Sequence, residues 1–123
     1  MIVGAGPVAC GAAGCLAGMG AGCVCLVDPG TVGPADVAGS PLLRACDEGM
    51  PLAEAAARRT CDASVRSIEC AGMEASLPRL GSGFVSGFDA VVCATASAVE
   101  AESAAWCSAA AGVPLVACTT VGA

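Results

Sequence analysis

Neither lysine nor histidine occurs anywhere in the 123 residues. Their absence removes the phosphate-gripping lysine of a P-loop, Schiff-base chemistry, imidazole general bases and the commonest metal ligand together. Positive charge is scarce altogether: five arginines stand against eleven acids, for a formal net charge of −6. No basic face can track phosphates, which argues against nucleic acid and anionic membrane surfaces as partners. Met1 leads straight into Ile2-Val3-Gly4, without the charged n-region of a secretory leader. There is also no Cys-x-x-Cys pair, although ten cysteines are present, at 10, 15, 23, 25, 46, 61, 70, 93, 107 and 118. Most lie in apolar runs such as "CVCLVD" and "VVCATA", where a thiol behaves as a small hydrophobe. The expectation is reduced, buried, structural thiols of an intracellular protein, with no disulfide frame. No metal is expected either, since zinc would need further ligands that cannot be assembled.

Charge is missing most conspicuously from "IVGAGPVACGAAGCLAGMGAGCVCLVD", which runs 26 residues before reaching Asp28. A span of about 20 apolar residues crosses a bilayer, and Gly14, Gly18 and Gly22 have the spacing that packs membrane helices. Glycines at 4, 6, 11, 14, 18, 20 and 22 make a poor continuous helix, however, and no interfacial residue marks either end. The run divides better into a short buried strand ("MIVG"), a turn ("GAGP"), a helix with Pro7 at N1, a break ("GMGAG") and a second buried strand ("CVCLVD").

Further on, "PGTVGPADVAGSP" (29–41) reads as a Gly/Pro loop and "PLAEAAARRTCD" (51–62) as a surface helix. "SVRSIEC" (64–70) alternates like a half-buried strand, and "GMEASLPRLGSG" (72–83) reads as loop with room for one helical turn. "FDAVVCATA" (88–96) is a buried strand, "AVEAESAAWCSAAAG" (98–112) a helix closed by Gly112, and "VPLVACTT" (113–120) a last strand. Strands alternating with helices at this spacing give one α/β domain, a Rossmann-like doubly wound parallel sheet with helices on both faces. The expected strand order is 3-2-1-4-5 with right-handed crossovers.

Gly4-Ala5-Gly6-Pro7-Val8-Ala9 fits the G-x-G-x-x-G/A fingerprint, with Ala9 in the third place. The first glycine allows a tight turn, the second lets a phosphate approach the backbone, and the helix beyond offers free N–H groups. Asp28 ends the second strand, where a carboxylate can accept both hydroxyls of a ribose. The same turn would also serve a tight βαβ unit without a ligand, and by itself it does not separate NAD, FAD and ATP.

The order of the segments narrows the choice. The glycine turn is followed by "LVDPGTVGPADVAGSPLLR", "DEGMPLAEAAARR", "FDAVVCATAS" and "CSAAAGVPLVACTTVGA". This series resembles the ThiF-type adenylation domain of the ubiquitin-activating enzyme superfamily over essentially the whole chain. It is most similar to the non-catalytic halves, the small subunit of the SUMO-activating enzyme first, where Arg44 also has a counterpart. The resemblance implies chemistry that joins the C-terminal carboxylate of a ubiquitin-like modifier to AMP, with ATP and Mg²⁺. It also implies a catalytic subunit as partner and a location in the nucleus or cytoplasm.

Gly4, Gly6 and Asp28 match the family's turn and ribose acid. Where active members carry Asn-x-x-Arg-Gln, this chain has Asp36-Val37-Ala38-Gly39-Ser40, with glycine in place of the arginine. The Gly-Lys-x-Lys-Ala start of the next helix is here Gly49-Met50-Pro51-Leu52-Ala53, without either cation. The aspartate that serves metal and phosphate is replaced by Ala96. No cysteine matches the thioester-forming residue. Asp89 falls at the start of its strand, away from the ligand edge, and Arg58 and Arg59 read as a solvated helix face. The expectation is therefore a degenerate site (Gly4, Gly6, Ala9 and Asp28) with no catalytic residue, in a core fragment that pairs with a catalytic subunit. The competing expectation is an NAD- or FAD-binding oxidoreductase domain using the same four residues.

Overall fold

The structure, a computed structural model, describes residues 1–118. Five strands, β1 (Ile2–Val3), β2 (Cys23–Val27), β3 (Glu69–Met73), β4 (Val91–Cys93) and β5 (Leu115–Ala117), form one sheet. All its pairings are parallel and the order is β3-β2-β1-β4-β5, the order expected from the sequence. The helices are α1 (Pro7–Gly18), α2 (Pro34–Gly39), α3 (Leu52–Ala63), α4 (Leu77–Val85) and α5 (Ala98–Ala111). Among the described residues no helix is long and apolar enough to cross a membrane. The charge-free opening is β1, a turn, a helix of 12 residues and β2.

Alternation along β2 divides the core in two. Val24 and Leu26 face α1 and α3 together with Ile2, whereas Cys25 and Val27 face α4 and α5 with Val3, Val91 and Cys93. Ile2 and Leu26 are fully buried, and each such aliphatic side chain contributes about 1.5–3 kcal/mol. Most helix contacts to the sheet are alanines: Ala9, Ala13 and Ala17 on α1, and Ala53, Ala56 and Ala57 on α3. Small residues bring helix and sheet backbones close, and at Gly72 the approach is so close that a Cβ would overlap the Ala53 carbonyl.

Several expectations from the sequence are corrected. The Gly/Pro segment contains α2, which starts with Pro34 at N1 while the Asp36 carboxylate accepts the Gly33 N–H at 2.8 Å. The third strand begins at Glu69, not at Ser64, because Val65 is fully exposed and only from Glu69 onward does the chain pair with β2. The stretch 72–83 holds most of α4, with Gly81 kinked to φ +73. Glu100 is buried, and its carboxylate accepts the Leu77 N–H at 2.9 Å, capping α4 from α5. The fourth strand is confined to Val91–Cys93. Thr119 and Thr120, assigned to the last strand, lie outside the described residues. Cys15, Cys23, Cys46 and Cys61 are exposed, so only part of the thiol set is core; all ten are free.

Arg59 is not on a solvated face. It bonds the buried Asp47 through Nε at 3.0 Å and Nη2 at 2.8 Å, tying α3 to a 3-10 turn at Ala45–Asp47. The Arg44 N–H adds a bond to the same carboxylate at 2.9 Å. The Arg59 hydrogen bonds hold the Asp47 carboxyl below its ordinary value, and burial opposes them. A carboxylate depressed in the folded state stabilises above its unfolded pKa of about 3.9 and loses that contribution as pH falls through the folded value. The melting temperature should therefore drop by a few degrees more between about pH 4 and pH 2 in the native chain than in Asp47→Asn. Equal slopes in the two melting series would show that the pair contributes nothing.

Candidate functional site

The strand order reverses at β1, and a cavity of about 730 Å³ opens there, over the C-terminal ends of β1, β2 and β4. This is the crevice where doubly wound sheets bind ligands, and the volume suits a nucleotide-sized molecule. Gly4 makes the floor. Its φ is +106, and an added Cβ would stand 2.5 Å from the Ala94 oxygen, so only glycine fits. Its N–H bonds Val27 O at 2.8 Å, which locks the turn to β2. Gly6 has ordinary extended backbone as the N-cap of α1, and nothing stands within 4 Å of where a Cβ would be. Its value lies in leaving that space to a ligand. No side chain caps α1, so its first N–H groups and positive dipole end point into the cavity.

Asp28 reaches the turn from β2. One carboxylate oxygen accepts the Ala5 N–H at 3.1 Å and the other accepts the Gly30 N–H at 2.7 Å. Each oxygen keeps a lone pair for a further donor, and the residue is half-buried on the cavity wall. The structure thus brings Gly4, Gly6 and Asp28 together. Ala9 is fully buried in the core cluster beside Ile2 and is not on the wall. Its small size lets α1 pack on the sheet, which is the packing role of the third fingerprint position.

The far wall was legible in the sequence only at Ala96, through the family resemblance. It is the loop from Ala94 to Ala98 and the first turn of α5, where Ser97 Oγ accepts the Glu100 N–H at 3.3 Å. The Ser97-x-x-Glu100 spacing is the local signal that marks this helix start. Leu52 and Cys118 complete the wall, and the Cβ position of Gly39, outside the lining, lies 3.7 Å from the wall residue Pro7. Among the described residues Asp28 is the one charged side chain lining the cavity, and no arginine is among them on the wall. Arg44 and Arg58 are exposed, and Arg59 is held by Asp47. Asp89 is exposed ahead of β4, at the opposite end of the strand from the cavity. Ala96 offers a methyl where a metal ligand would be required, so the described wall does not fit a resident Mg²⁺.

Fold and cavity together define a doubly wound domain with a dinucleotide-type glycine turn at its switch point. The chain belongs to the ThiF family, whose pattern it matches over residues 1–123. Members of that family are ATP-dependent adenylating enzymes. No curated protein sequence matches it. Among solved structures it is similar to E. coli tRNA N6-threonylcarbamoyladenosine dehydratase, TcdA, in complex with AMP. That likeness has a TM-score of 0.77 and 24% identity, over 94% of this chain and 48% of that one. PaaA gives a TM-score of 0.78 at 20% identity, over 97% and 36%. E. coli MccB gives 0.75 at 16%, over 94% and 35%. These likenesses are of fold, and the chain spans about half the length of these structures or less.

Proposed function

We propose that this chain is the non-catalytic, adenosine-holding half of an adenylating assembly. In this reading a catalytic subunit beside it adenylates the C-terminal carboxylate of a ubiquitin-like modifier. The modifier suggested by the order of motifs and by Arg44 is SUMO. The observation that carries the reading is the asymmetry of the cavity. The turn at Gly4 and Gly6 and the Asp28 carboxylate serve the ribose and one phosphate, and no cationic side chain follows along the wall. Adenylation requires the carboxylate oxygen to attack the α-phosphate while pyrophosphate departs, and the developing charge needs cations. Each missing charge-assisted bond withholds about 1.5–3 kcal/mol, and three cationic positions are neutral here. The crystal structure of TcdA with AMP supports an adenine nucleotide over NAD or FAD as the natural occupant.

Calorimetric titration with adenosine, AMP and ATP–Mg²⁺ tests the reading, together with ATP–pyrophosphate exchange. Adenosine and ATP are expected to bind within about tenfold of each other, with no exchange by the chain alone. Asp28→Asn should weaken both by roughly tenfold, since it loses about one hydrogen bond to the ribose. Measurable pyrophosphate exchange without a second protein would reject the non-catalytic assignment.

A further inference from the structure

Outside the cavity, two thiols converge where α3 meets β3. The helix runs back over the strand, with Ala53 at its start against Gly72 and Cys61 at its end against Ile68. The Cys61 thiol lies 3.6 Å from the Ile68 carbonyl oxygen. Ile68, Cys70 and Gly72 alternate onto the face that α3 covers, and Ile68 and Cys70 pack in the same cluster as Ala53, Ala56 and Ala57. Cys70 therefore stands between the two contacts that fix the helix, about 7 Å along the strand from each. Helical side chains lean toward the helix N-terminus, which tilts the Cys61 thiol down the axis toward Cys70.

We propose that Cys61 and Cys70 are a redox pair that closes reversibly to a disulfide, clamping the end of α3 to β3 in response to hydrogen peroxide. The two differ as such a pair should. Cys61 is exposed, whereas Cys70 is half-buried, and burial with the neighbouring Cys61 thiol pushes its pKa up to about 11. Cys61 is thus the accessible thiol that meets the oxidant and Cys70 the resolving one. The Cys61 thiolate attacks a peroxide oxygen, the O–O bond breaks, and one water leaves as the sulfenic acid forms. The Cys70 sulfur then attacks the Cys61 sulfur, the S–O bond breaks, and a second water carries off the Cys70 proton. Two thiols lose two electrons and the peroxide takes both. A small dithiol reverses the step by exchange.

Trypsin separates the pair cleanly. Cleavage after Arg59, Arg66 and Arg79 yields peptides 60–66 and 67–79, each with a single cysteine. The folded chain is treated with limiting hydrogen peroxide, alkylated, digested and analysed by mass spectrometry. The expected product is these two peptides joined, lighter by two hydrogens than their sum and separated by dithiothreitol. The joined form should melt on the order of 10 °C higher, because the crosslink closes a loop of about ten residues. In Cys70→Ser the junction should vanish while Cys61 becomes trappable as a sulfenic acid by dimedone. The proposal is overturned if both peptides are recovered alkylated at doses that oxidise the exposed Cys15, or if Cys61 is found joined to any other cysteine.

Discussion

Gly72→Ala is expected to lower the melting temperature by on the order of 10 °C. Gly72 lies in β3 at the point where α3 crosses it, and a Cβ there would overlap both the carbonyl of Ala53 and the backbone of Glu54. Backbone cannot rotate out of the way as a flexible side chain can, so helix and strand must separate. Separation loosens the packing of Ala53, Ala56 and Ala57 in the core cluster they share with the sheet. Overpacking typically costs about 1–3 kcal/mol, and an overlap with backbone falls at the upper end or beyond, a large share of the about 5–15 kcal/mol total stability of a small domain. Gly11→Ala is the matching control: Gly11 sits exposed within α1, with nothing within 4 Å of its Cβ position. That change should stabilise by about 0.5–1 kcal/mol through helix propensity. Thermal melts followed by circular dichroism distinguish the two. If Gly72→Ala melts like the native chain, the close α3–β3 contact is not what the domain depends on.

The strands were legible wherever burial on both faces leaves an unbroken apolar run, as in Ile2–Val3 and Val24–Val27. The third was displaced because Glu69-Cys70-Ala71-Gly72-Met73 contains no β-branched residue. Its conformation comes from pairing with β2 along its full length, a tertiary cause that no local propensity carries. The preceding Val65–Ile68 stretch alternates convincingly, yet Val65 is fully exposed. Helix α4 was obscured by Pro78 and Gly81, which usually punctuate loops; here the proline sits in the first turn and the glycine takes the kink. The carboxylate that caps this helix, Glu100, is 23 residues away in sequence. The site divides in the same way. Gly4, Gly6 and Asp28 lie within one βαβ unit, so spacing alone brings them together. Leu52, Ala96 and Gly39 meet that unit only because the chain crosses over twice and returns to neighbouring strand ends, and sequence spacing does not measure that distance.

Gly39→Arg together with Ala96→Asp is expected to turn a cavity that does not favour ATP over adenosine into one that does. Gly39 ends α2 beside Pro7, and its Cβ position is in ordinary contact with that ring, so a side chain there can extend over the glycine turn without displacing backbone. Both positions are exposed, which spares the core. A guanidinium at the rim would pair with a phosphate for about 1.5–2 kcal/mol, tenfold or somewhat more in affinity. Adenosine carries no phosphate and should bind as before, so the ratio of the two dissociation constants isolates the charge. Ala96→Asp alone has a sign set by the metal. In chelator it adds a second carboxylate to a wall that already holds Asp28, and ATP binding should weaken. With Mg²⁺ present the carboxylate becomes a ligand, and the penalty should disappear or reverse. Calorimetry in the two buffers reads both effects. An arginine that leaves the ATP-to-adenosine ratio unchanged would mean that phosphates do not run past Pro7, and that charge was lost from this cavity for another reason.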